Sequence, residues 1–155
     1  MDRGFNTITS SLKVSPISEP EFDILFSPIL VKDVSHIAVG VSGGPDSLAL
    51  SWLLHRWCEQ IGKRLIALTV DHRLRPNSSR DARNVFLRLK SWGLNCIILP
   101  WVGNKPSTGI QETARIARYK LMIDWCIKNG VRDLALAHHQ ERSEEHTSEL
   151  QSRET

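Results

Sequence analysis

The sequence predicts an α/β domain organised around a doubly wound parallel sheet. Four short, continuous apolar runs alternate with longer helical stretches, and runs of this kind are buried on both faces, as strands of a parallel sheet are. Polar, chemistry-bearing residues also follow three of the runs directly: Ser42 to Ser47 after the first, Asp71-His72-Arg73 after the second and His138-His139 after the fourth. Strand and helix packing needs no polar group at those places, whereas ligands of open α/β sheets sit beyond the carboxyl ends of the strands.

The elements follow in order. Residues 1–34 are rich in Ser, Thr and Pro with scattered apolar residues, which predicts a loosely ordered leader with a short helix around Glu21 to Phe26. Ile37 to Val41 reads as the first strand. The helix after the glycine turn runs to Ile61, where Gly62 stops it. Leu65 to Val70 is the second strand. Ser79 is positioned to cap a helix that carries Ala82, Val85, Phe86 and Leu89 on one side and ends at Gly93. Asn95 to Leu99 is a third strand, broken at Pro100. A loop with Gly103, Pro106 and Gly109 leads to a long helix from Ile110 to Lys128, with Ile116, Leu121, Ile123 and Trp125 as core candidates and Asn129-Gly130 at its end. Leu134 to Ala137 is the fourth strand. The domain spans residues 35–141, and 142–155 form a polar tail that fits no element of the fold.

The composition narrows the class. A chain of 155 residues suits one α/β domain. Its formal net charge is +3, but arginine is concentrated between Arg73 and Arg88, which suits either a solvated helix face or a polyanionic partner. Cys58, Cys96 and Cys126 lie singly in apolar stretches without C-x-x-C spacing, the pattern of buried reduced thiols in a cytoplasmic protein. No apolar run is long enough to span a membrane, and the first residues lack a secretory core.

Ser42-Gly43-Gly44-Pro45-Asp46-Ser47 is the most informative stretch. The two glycines allow an anion close to the backbone, and the helix behind them presents unpaired N–H groups and a positive dipole end to the same place. It is neither a Walker A loop, which ends in Gly-Lys-Ser/Thr, nor a G-x-G-x-x-G dinucleotide turn. Two hydroxyls, Ser42 and Ser47, accompany one carboxylate. Asp46 beside phosphates makes sense as a ligand of Mg²⁺, which is held by one or two carboxylates together with substrate phosphates. The same residues also suit helix capping, with Pro45 in the first turn. Asp71 and His72 read equally as a plain strand end, Arg115 and Arg118 as surface residues three apart on one helix face, and His138 with His139 as a weak metal pair.

The glycine loop resembles the pyrophosphate loop of the PP-loop ATP pyrophosphatases. Three further stretches, Val70 to Ser78, Gln111 to Tyr119 and Ala137-His138-His139-Gln140, in this order and spacing, resemble the amino-terminal domain of the tRNA(Ile)-lysidine synthetases. That resemblance implies an adenine nucleotide alpha hydrolase-like fold, incomplete at its C-terminal end, and an ATP-dependent carbon–nitrogen ligase in the cytoplasm. The substrates it implies are ATP, L-lysine and a tRNA(Ile) with a CAU anticodon, with Mg²⁺ as cofactor. It also assigns nucleotide contacts to Ser42, Gly43, Gly44, Pro45, Asp46, Ser47, Asp71, His72 and His138. Catalytic roles go to Asp46, as metal ligand, and to Arg115, or second to Arg118, which would neutralise charge on the α-phosphate. Two departures stand out. Family members continue after the histidines with aspartates, where this chain has Gln140-Glu141-Arg142, and the tail from Arg142 to Thr155 resembles a translated sequencing-adapter read-through. On this reading the chain is an amino-terminal fragment with little activity of its own. Another PP-loop enzyme, such as a tRNA thiolase or an amide-forming synthetase, and an inert nucleotide-binding module are the alternatives.

Overall fold

The structure is a computed structural model that describes residues 17–28 and 35–137. Its elements are α1 (Glu19–Phe26), β1 (His36–Gly40), α2 (Pro45–Ile61), β2 (Arg64–Asp71), α3 (Ser78–Ser91), β3 (Asn95–Pro100), α4 (Ile110–Lys128) and β4 (Asp133–Ala135). The four strands form one sheet in the order β3-β2-β1-β4, and every pairing is parallel. From β1 the chain winds outward through β2 to β3, then crosses back to place β4 on the other side of β1. The order therefore reverses beside β1. The expected doubly wound α/β sheet is present among the described residues.

The core divides between the two faces of the sheet. Ile37, Val39 and Val41 point to one face with Leu54, Trp57 and Cys58 of α2 and Leu89 of α3, while Ala38 points to the other with Met122 and Cys126 of α4. Ile37, Ala38 and Val39 are fully buried, which explains why the strand reads as an unbroken apolar run. Gly40 allows a close approach on the α4 side. A Cβ there would lie 2.6 Å from Leu136 Cδ2 and 2.9 Å from Met122 Sδ.

Most element bounds fall within one or two residues of expectation. Gly62, in the left-handed conformation at φ 72°, ends α2 as anticipated. Pro100 does not break β3 but closes it, pairing with Asp71. Because β3 lies at an edge of the described sheet, a residue without an N–H is tolerated there.

Three expectations need correction. Asn77, not Ser79, occupies the N-cap position of α3, because the Ser79 hydroxyl is drawn to Asp71. On α4 the buried residues are Ala114, Met122 and Cys126, whereas Ile116 and Ile123 are 59% and 48% exposed. The face that meets the sheet is set by Met122, and Ile123 is turned from it by about 100° of helix rotation. Finally, the short helix expected in the leader begins at Glu19 and is firmly docked. Ser18 and Glu21 form a capping box at its start. Phe22 is buried and stacks on Phe26 at 4.3 Å, and Trp57 packs edge-on against Phe22 while donating its indole N–H to Asp23 Oδ1 at 2.6 Å. Residues 1–16, 29–34 and the tail 142–155 lie outside the described residues.

Phe22 is thus the main anchor of α1. Phe22→Ala should lower stability by about 3 kcal/mol, as loss of a buried phenyl ring does. Urea unfolding, together with limited proteolysis for new cleavage between residues 19 and 26, checks this. An unchanged midpoint would mean that α1 contributes nothing to the core.

Candidate phosphate-binding site at the strand-order reversal

At the end of β1 the ladder continues one step, with the Val41 N–H donating to Leu68 O at 2.8 Å, and the chain then turns away from the sheet. Gly43 adopts φ 90°, a conformation that strains any other L residue, and a Cβ there would meet Val85 Cγ2 at 2.9 Å. Gly44 is the N-cap of α2, Pro45 opens the helix and Asp46 lies exposed in its first turn. The loop is held by its own hydroxyls. Ser47, which is buried, donates to Gly44 O at 3.2 Å and accepts the Ser42 N–H at 3.1 Å. With its proton engaged, Ser47 receives the Ser42 hydroxyl across a 3.1 Å contact. The first-turn amides of α2 and its dipole face the loop, so the geometry favours an anion at Ser42–Ser47.

Residues of β2, of α4 and of the stretch after β4 also reach this place. A cleft opens between the loop and the far side of the sheet, with Ser42 and Ser47 on one wall and Arg118 and Tyr119 of α4 on the other. Leu136 and Ala137, just after β4, close its end. The cleft therefore sits between the carboxyl ends of β1 and β4, at the reversal of strand order. Arg115 and Arg118 both lie against the Tyr119 ring, 5.7 and 5.6 Å from its centroid. Arg118 lines the cleft, and Arg115 is exposed on the outer side. Of the two arginines singled out in sequence, the geometry brings the second choice to the loop.

Asp71 plays a different part from a free strand-end carboxylate. Its Oδ1 accepts from the Ser78 hydroxyl at 2.8 Å and the Arg73 N–H at 3.1 Å, and its Oδ2 accepts from the Ser79 hydroxyl at 2.5 Å. These bonds fold the 72–79 segment back over the strand end and hold Arg73 at φ 53°, unusual for a residue with a side chain. Burial acts to raise the pKa of Asp71. The hydrogen bonds from Ser79, Ser78 and Arg73, with the Arg73 charge, outweigh it and hold the carboxyl below its ordinary value of 3.8.

His72 is half-buried beside this turn, and its Nδ1 is buried without a hydrogen-bond partner among the described residues. Burial lowers its pKa first, and the positive charges of Arg118 and Arg75 lower it further against the opposing pull of Asp71. The ring is therefore neutral at pH 7 and available as an acceptor or donor beside Arg118. His138 lies outside the described residues. The thiols are inert by comparison, since burial pushes Cys58 and Cys96 up to about 11. Among the described residues no group of three or more His, Cys, Asp or Glu side chains is assembled as a metal cage. Asp46 fits the other type of site, in which one carboxylate shares Mg²⁺ with substrate phosphates.

Because the folded-state pKa of Asp71 is depressed, its contribution to stability is full above the ordinary value of 3.8 and is lost as pH falls through the lower folded value. Asp71→Asn should therefore cost about 1–3 kcal/mol at pH 7, where charge-assisted bonds are lost, and progressively less below pH 3.8. Urea unfolding of both proteins across this range checks the sign, and a pH-independent difference would contradict it.

Comparison with known proteins agrees with this fold. A family model described as the PP-loop domain matches residues 14–150. The chain is 45% identical over 125 residues to a tRNA(Ile)-lysidine synthase from a Bradyrhizobium species, covering 79% of this chain and 34% of that protein. It is 46% identical over 104 residues to the tRNA(Ile)-lysidine synthase of Rhodopseudomonas palustris, covering 66% and 30%. The chain thus spans about a third of the length of these relatives. Among solved structures, the U34-tRNA thiolase NcsA from Methanococcus maripaludis superposes with a TM-score of 0.65 at 22% identity, covering 78% of this chain and 44% of that one, which supports the fold alone. With the glycine loop at the strand-order reversal and this match over most of its length, the chain belongs to the PP-loop domain family.

Proposed function

We propose that this chain is the nucleotide-binding part of a tRNA(Ile)-lysidine synthase. In that reaction the C2 carbonyl oxygen of the wobble cytidine in a CAU-anticodon tRNA(Ile) attacks the α-phosphate of ATP and pyrophosphate leaves. The ε-amine of L-lysine then displaces AMP at C2. The observation that carries the reading is the convergence of the Ser42–Ser47 loop with Arg118 in one cleft between β1 and β4. The similarity to tRNA(Ile)-lysidine synthases supports this chemistry over others that an ATP-cleaving loop could serve.

The residues divide the work by their chemistry. Backbone amides from Gly43 onward and the hydroxyls of Ser42 and Ser47 receive phosphate oxygens, exchanging their present bonds to one another for bonds to the ligand. Asp46 would hold Mg²⁺, which when bound supplies positive charge to the leaving pyrophosphate. Arg118, which lines the cleft from the opposite face of the sheet, would neutralise charge on the α-phosphate as the cytidine oxygen attaches. Neutral His72 stands beside it as a nucleotide or base contact, and Asp71 acts by shaping the segment that carries His72. Buried, unpaired thiols accord with a cytoplasmic setting. Among the described residues no helix is long and apolar enough to cross a membrane.

Pyrophosphate release from ATP, measured on the product of the source locus with CAU-anticodon tRNA(Ile) and with lysine present or omitted, tests the reading. Release should require the tRNA, and AMP release should require lysine; ATP turnover indifferent to the tRNA would overturn it. In the same assay Asp46→Ala should reduce pyrophosphate release by about 100-fold or more. Arg118→Ala should lower kcat by about 100-fold, the typical cost of one group that stabilises transition-state charge. Arg115→Ala should cost far less, and the reverse order would transfer the role to Arg115.

A further inference from the structure

We infer that the outer face of α3, with the groove between α3 and α2, is the path along which the phosphate backbone of the substrate RNA reaches the loop. This rests on the reading of the chain as an RNA-modifying enzyme and adds to it a binding surface. The groove begins at Ser42 and Gly43, on the opposite side of the loop from the cleft that Arg118 lines. Leu48 and Val85 form its floor. Asp81, Asn84 and Arg88 line it from α3, spaced three and four residues apart so that they follow one another along one helix face.

The charge of this helix is unusual for the chain. Arg80, Arg83, Arg88 and Lys90 stand against the single carboxylate Asp81, so α3 carries as much net positive charge as the whole protein, +3. All four cations are exposed. Among the described residues the guanidinium groups of Arg80, Arg83 and Arg88 have no carboxylate partner, while Asp81 is approached at 3.9 Å by Arg75. A solvated helix ordinarily balances its charges with i,i+3 and i,i+4 pairs. Exposed arginines without carboxylate partners, one of which, Arg88, lines a polar groove, are the electrostatic footprint of a polyphosphate chain. Arginine forks suit phosphate oxygens, and the Asn84 amide adds a donor that positions a backbone without reading its bases.

The experiment measures binding of the chain to a fluorescent RNA hairpin with the CAU anticodon loop, by anisotropy between about 50 and 200 mM salt. Arg83→Ala/Arg88→Ala is compared with Arg64→Ala/Arg132→Ala, an equal loss of charge at exposed positions by the amino-terminal ends of β2 and β4. The α3 pair should weaken binding and reduce the slope of log affinity against log salt by about two, one for each phosphate contact. The control pair should leave the slope unchanged, and melting curves should match for all three proteins. Equal effects of the two pairs would reduce the finding to bulk charge and overturn the proposed path. So would no effect of the α3 pair, no RNA binding by the parent, or capture of anionic lipid vesicles in place of RNA. Intact tRNA-dependent pyrophosphate release with an unaltered salt slope would sink this path alone. ATP turnover indifferent to tRNA would instead remove the lysidine reading, whatever the anisotropy shows.

Discussion

Burial of β1 on both faces and both edges is the constraint on which the rest of the structure depends. Ile37, Ala38 and Val39 have no access to solvent, and their strand is paired with β2 on one side and β4 on the other. Every backbone polar group there must be spent in the ladder, because an unpaired buried amide costs as much as a lost hydrogen bond. Backbone amides can first turn toward a ligand where the ladder ends, just beyond Val41. The glycine loop stands at that point, and the crossover that puts β4 beside β1 opens the cleft next to it. The position of the site is thus a consequence of how the strand is buried.

The cradle itself is poor in positive charge. Its donors are amides and hydroxyls, and its one ionised side chain, Asp46, is negative. A Walker-type loop carries its own lysine; this one has none, and the cation that lines its cleft, Arg118, comes from across the sheet. That division has a structural cost, since the two faces must be held in register. Gly40 allows it by letting Leu136 and Met122 pack directly on the strand, so that α4 and the end of β4 lie close beneath the loop. A side chain at Gly40 would push away the element that delivers Arg118.

Much of the fold was legible because strong local signals coincide with it. Continuous apolar runs mark β1 and β2, Gly62 terminates α2, and the bounds of α4 lie where Gly109 and Asn129-Gly130 put them. The failures share a cause, which is that tertiary partners overrode a local preference. Ser79 is a good capping residue, but the buried Asp71 carboxylate needs its hydroxyl more. Ile116 and Ile123 are apolar, but the sheet accepts only the Ala114, Met122 and Cys126 strip of α4. Phe22 and Trp57 lie far apart in sequence, so nothing local announces that α1 docks on α2. In the site, the glycine loop could be read from composition and spacing alone. That Arg118 lines the cleft and Arg115 does not could not be read there, because it depends on how α4 packs against the sheet.

The 72–79 segment shows how a buried carboxylate can shape the chain beside a site through its own hydrogen bonds. A strand-end aspartate beside a phosphate loop invites assignment as a metal ligand or ribose contact. Asp71 instead has both oxygens committed, to two hydroxyls and a backbone amide, and its carboxyl is held ionised by those bonds. Free energy invested in those bonds is what keeps Arg73 in a left-handed conformation and turns the chain sharply enough for α3 to begin within a few residues. The same turn leaves His72 half-buried, neutral and with an Nδ1 unfilled among the described residues, and it leads into α3, whose Arg88 lines the groove on the other side of the loop. One buried carboxylate thereby sets the direction of two surfaces, and any substitution there that preserves shape but not charge acts on both at once.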